Sequence, residues 1–167
     1  MIRTLFRALL ALVLVGLARP ASAQLAGVPF TIQPSQASAI VNGTVTRNQV
    51  ALPPCNVLDV LLNITGGGAA TGSLTLFVQD TADGGTTWDD VISSNAFALG
   101  AAVITQRFIV NGLIASTIAS GSAAVREALA AGTTRQGPFG NLLRVREVMA
   151  GIITPTAATY TITAVCK

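Results

Sequence analysis

Histidine is absent from this chain. That removes the commonest general base and the commonest metal ligand. Neither a Ser-His-Asp nor a Cys-His catalytic group can be assembled without it. Charge is scarce, with 10 basic and 7 acidic side chains in 167 residues. One Trp, one Tyr and six Phe are too few for a platform on which nucleic-acid bases stack. The two cysteines form no CxxC pair and have no metal-ligand spacing. Gly66-Gly67-Gly68 is not followed by the Lys-Ser/Thr of a phosphate-binding loop. Glu127 and Glu147 could pair as carboxylates in principle, but no motif brings them together. The expectation is a protein that is not an enzyme, with no catalytic residue, no metal and no cofactor.

The N-terminus has the plan of an export signal. Arg3 and Arg7 precede an apolar run from Ala8 to Leu17, and Ala21-Ser22-Ala23 offers a small-x-small cleavage site. The run is shorter than the ~20 residues a membrane span needs. Residues 1–23 are therefore read as a signal peptide and residues 24–167 as one domain without a stable membrane span. The expected location is periplasmic, cell-surface or extracellular, with a virion as the alternative. Arg3, Arg7 and Arg19 leave with the signal, and the remaining charges balance at seven of each sign. The basic character of the whole chain thus gives no reason to expect a nucleic-acid partner. A neutral, apolar mature chain favours association. Self-association or a larger surface assembly is expected, and a glycan is the other candidate partner.

Cys55 and Cys166 read as a disulfide in an exported chain, with two buried free thiols as the alternative. A bridge closing a loop of about 110 residues stabilises by ~4–5 kcal/mol in the chain-entropy model. It would also pin the last strand, which at a sheet edge would be a template for unwanted pairing.

Strand signals dominate the rest. Leu58, Val60, Leu62 and Ile64 alternate with Asp59 and Asn63; Leu74, Leu76 and Val78 alternate with Thr75, Phe77 and Gln79. Tyr160, Ile162, Ala164 and Cys166 share a face of the last strand. Further strands are expected over residues 44–50, from Trp88, over 104–110 and over 142–149. Asn111-Gly112 reads as a hairpin turn leading to Leu113 and Ile114. A short inserted helix is expected over residues 123–131, capped by Ser122 and ended by Gly132. These elements specify an all-β fold: an antiparallel β-sandwich, jelly-roll or Ig-like, of seven to eight strands, with a small barrel as alternative.

Thr81, Asp83, Gly85, Thr87 and Trp88 match the Asp-box pattern Ser/Thr-x-Asp-x-Gly-x-Thr-Trp at every fixed position. The chemistry is that of a turn: a carboxylate accepts backbone N–H groups, Gly takes a positive φ, and Trp packs over the loop. The box is expected to be a structural turn, with ligand contact as the lesser reading. The neighbouring Asp80, Asp89 and Asp90 read as solvated loop acids, not a calcium site. Arg144 and Arg146 share a strand face, which Arg135 and Arg107 could join. That face reads as a charged, exposed surface, and alternatively as a ligand patch with Trp88.

Three stretches resemble a known group: Leu58 to Thr65, Leu74 to Asp80 running into the Asp-box turn, and Gly137 to Val145 followed by Gly151 and Thr154-Pro155. They are similar to small β-sandwich proteins encoded among the structural genes of tailed bacteriophages. The resemblance implies a virion-associated decoration or attachment role without catalysis.

Overall fold

The computed structural model describes residues 27–39, 42–66, 71–100, 103–114, 125–126, 129–152 and 158–167. The export segment, Glu127 and most of the expected helix lie outside the described residues. In chain order the strands are β1 (Val28–Ala37), β2 (Gly43–Ala51), β3 (Val57–Thr65), β4 (Thr71–Thr81), β5 (Trp88–Ser93), β6 (Phe97–Ala98), β7 (Ile104–Asn111), β8 (Val125–Arg126), β9 (Leu142–Ile152) and β10 (Thr159–Cys166). They form two sheets, one ordered β1-β10-β3-β7 and the other β2-β9-β4-β5-β8, with β6 beside β4.

Eight of these strands are longer than two residues, and their pairing is nested. The first pairs with the last, β2 with β9, β3 with β7, and the middle two, β4 and β5, form a hairpin. The hairpin then rolls so that β10 also pairs with β3 and β9 with β4. This is the jelly-roll order, and it excludes the Ig-like alternative.

Alternation fills the space between the sheets. Leu58, Val60, Leu62 and Ile64 of β3 meet Tyr160, Ile162 and Ala164 of β10 in one wall. Leu74, Leu76 and Val78 of β4 stand beside Leu143, Val145 and Met149 of β9 in the other. Branched side chains suit this half-buried pleat.

Three expectations need correction. First, β1 carries no alternation and two prolines, so its sequence did not read as a strand. It is an edge strand, where Pro is tolerated, and its register with β10 shifts between Thr31 and Gln33 and again between Gln33 and Gln36, across Pro34. Second, the part of the expected helix that is described is not helical. Val125–Arg126 pair in parallel with Trp88–Asp89. Further along, Ser93 N donates to Thr133 O and Arg135 N to Val91 O, so the chain follows the edge of β5. A nine-residue helix has little stability of its own, and the open backbone of β5 offers better hydrogen bonding. Third, Asn111-Gly112 is not a primed hairpin turn. That turn needs positive φ at both positions, and neither residue has it. Instead Gly112 N donates to Asn56 O at 2.7 Å, and a Cβ at Gly112 would strike the Phe139 ring.

Candidate functional site

The β4–β5 turn is organised around Asp83. Its Oδ1 accepts from the Thr81 hydroxyl (2.7 Å), Thr86 N (3.0 Å) and Thr87 N (2.9 Å), and its Oδ2 from the Thr87 hydroxyl (2.6 Å). These bonds, led by those from Thr81 and Thr87, hold the Asp83 carboxyl well below the usual carboxylate range. Gly84 and Gly85 take φ of 72° and 102°. The Trp88 indole N–H donates to Gly85 O at 2.9 Å. Trp88 is only 3% exposed, so its ring offers no open face on which a sugar could stack.

Arg144 and Arg146 do share a face, but on an interior strand: β9 lies between β2 and β4. The Arg144 guanidinium lies 4.1 Å from the Trp88 ring centre and donates to Gln79 Oε1 at 2.8 Å. That of Arg146 lies 3.9 Å from the Phe77 ring centre, with Asp90 Oδ2 at 3.4 Å. Gln79 in turn donates to Asp90 Oδ1 at 2.7 Å. Gln79, Asp90 and Arg146 are all buried. The expected exposed charged strip is therefore a packed layer of cation–π and amide contacts. Arg135 and Arg107 do not join it. Arg135 holds Asp80 (2.8 Å), and Arg107 lies on β7 in the other sheet beside Asp59.

Asp80 and Asp90 are likewise not solvated loop acids; both are buried. Burial pushes the Asp80 carboxyl up, against the pull of Arg135 and Gly140 N–H. Gly140 N donates to Asp80 Oδ2 at 2.9 Å and Asn141 N to Thr81 O at 2.9 Å. A Cβ at Gly140 would fall on the Thr81 backbone. This glycine is what allows the approach to β9 to lie against the end of β4.

The most deeply placed charge is one that the sequence reading considered only as a candidate carboxylate partner of Glu127. Glu147 of β9 is 0% exposed and faces the core. It accepts from Arg47 Nε (2.7 Å) and Nη2 (2.8 Å) of β2, from Ala39 N (3.1 Å), and from the Tyr160 hydroxyl of β10. Burial, then Glu147, drives the Tyr160 hydroxyl far above its ordinary pKa. Arg47 also donates to Ala37 O at 3.2 Å. One carboxylate thus ties both sheets and the β1–β2 connection together. Its signal was readable: in Leu143-Val145-Glu147-Met149 an acid occupies an inward position.

Cys55 and Cys166 are bonded, with Cα atoms 5.1 Å apart. β10 is not the edge strand the sequence reading allowed for, since β1 and β3 flank it. An open groove of about 490 Å3 crosses the outer face of that sheet, beside Phe30, Leu61 and the Asp59–Arg107 pair. Among the described residues, no group of three or more His, Cys, Asp or Glu is placed to hold a metal ion.

No protein-family model and no curated protein matches the chain. Among solved structures it is similar to chains in the structures of infectious bursal disease virus, Gx and Gt strains. The TM-scores are 0.47 and 0.43, both at 11% identity, covering 84% and 83% of this chain and 32% of each viral chain. The chain spans about a third of the length of either. The fold assignment rests on strand order, not on these likenesses.

Proposed function

We propose that this chain is a non-enzymatic structural or attachment protein, a jelly-roll unit that is exported or built into a virion and that works by self-association or by coating a larger surface. The observation that carries this reading is where the charges lie. Glu147, Asp80 and Asp90 are buried in contacts with Arg47, Arg135 and Arg146 that join strands to one another or to the segment before β9. None of them lines the open groove. Ionic groups in these positions brace a scaffold and are not presented to a substrate. The jelly roll is a common capsid and lectin architecture, which supports the reading by analogy only.

Export rests on the sequence signal. The native product should begin at Gln24, which intact mass or N-terminal sequencing measures. Recovery of the full-length chain from the cytoplasm would overturn the exported reading.

Carbohydrate binding is a second reading, supported by the open groove that sets Phe30 beside polar Asp59 and Arg107. Glycan retention lost in Asp59→Ala with the fold intact would favour it over the structural role.

A further inference from the structure

Among the described residues, four of the five large apolar side chains that are well exposed lie on or beside β7: Val103 (65%), Ile109 (56%), Leu113 (73%) and Ile114 (49%). β7 ends its sheet, and such edges are templates for pairing with another chain. The hydrogen bonds show which residues face outward there. Asn111 N donates to Gln136 Oε1 (2.7 Å), Gly137 N to Asn111 O (3.0 Å), and Gln136 Nε2 approaches Ile109 O (3.5 Å). The backbone groups of 109 and 111 thus point away from β3. Pairing with β3 runs without a register shift from Ile104 to Asn111, so by alternation Thr105 and Arg107 present theirs to the same edge. Gln136 and Gly137 cap the Asn111 end. Among the described residues, no strand pairs with the edge before it.

We infer that this edge takes a second copy of the same chain, antiparallel about a two-fold axis through Gln106. The inference deepens the assembly reading above and rests on it. An isologous contact needs a self-complementary strand, and this register supplies one. Thr105 faces Arg107 of the other copy, and Val103 faces its Ile109, each twice by symmetry. Two exposed apolar side chains that would stand in water in one chain cover each other in two. The registers shifted toward Asn111 are worse. Centring on Arg107 sets two arginines against each other, like charges that destabilise a cross-strand pair. Centring on Phe108 requires Asn111, whose backbone Gln136 and Gly137 already occupy.

The test is mass against concentration for the purified protein and two variants, with a melt of each. Ile109→Lys should raise the dimer dissociation constant on the order of tenfold or more. Its melt should be unchanged at concentrations where both proteins are single chains, because the side chain is exposed. Val103→Glu combined with Ile109→Lys should return the constant to near the original, since each Glu then faces a Lys of the other copy. Association that is indifferent to Ile109→Lys would remove β7 as the contact while leaving self-association standing. A double variant no better than the single would remove the register. A parent protein that stays a single folded chain at every concentration would overturn the inference, yet leave the non-enzymatic reading to be met through some other surface.

Discussion

At the residue scale, Glu147 has the largest consequences. Its carboxylate receives Arg47, Tyr160 and Ala39 N inside the sandwich. Glu147→Ala would leave a hydroxyl and an amide without an acceptor and the Arg47 cation with only Ala37 O. A broken buried pair costs about 3–5 kcal/mol, and chemical denaturation should show a loss of that size. Tyr160→Phe removes one hydrogen bond to a charged group and should cost about 1.5–3 kcal/mol. Equal, small losses for both would mean the carboxylate is not the hub. Asp83 makes a separate prediction about pH. Its folded pKa is depressed, so its contribution is present above the ordinary Asp value of about 4 and is lost as pH falls toward the folded value. Asp80, with a raised folded value, acts with the opposite sign. The difference between the parent and Asp83→Asn isolates Asp83. Denaturation midpoints followed by Trp88 fluorescence should be lower for the variant at neutral pH, and the gap should narrow progressively as pH falls below about 4. A constant gap across that range would contradict the account of the turn.

At the level of elements, the disulfide and the nested register act on the same strand. Cys166 is bonded to Cys55, and beyond it Asn56 N and Val57 N donate to Lys167 O while Lys167 N donates to Val57 O. Reduction should lower stability by up to ~4–5 kcal/mol, read as a lower denaturant midpoint, with the slope free to rise because the unfolded chain loses its cross-link. No shift would mean that the backbone pairs alone fix the end of β10. Which elements were legible follows from their physics. β3, β4 and β10 bury one face, so period two is written into them. β1 is an edge strand broken at Pro34 and carries no such pattern. The 123–131 segment has helix-forming residues, but the edge of β5 competes for its backbone at Val125–Arg126. Arg146 and Asp90 read as surface charges because alternation gives a side chain's face but not what covers that face.

On the scale of the whole molecule, a chain poor in charge, buried ion pairs and an apolar edge act together. Scarce charge leaves little repulsion between copies, and several of the charges present are held in buried pairs. Composition is what raised association as an expectation; the surface proposed for it depends on β7 ending a sheet and on where Gln136 caps it. The decisive measurement is sedimentation velocity of the purified protein over a wide concentration range at low and high salt. The account predicts an average mass that climbs toward twice that of one chain, with little dependence on salt, because the contact is made of backbone hydrogen bonds and apolar side chains. A single-chain mass throughout, or association that disappears in high salt, would contradict it.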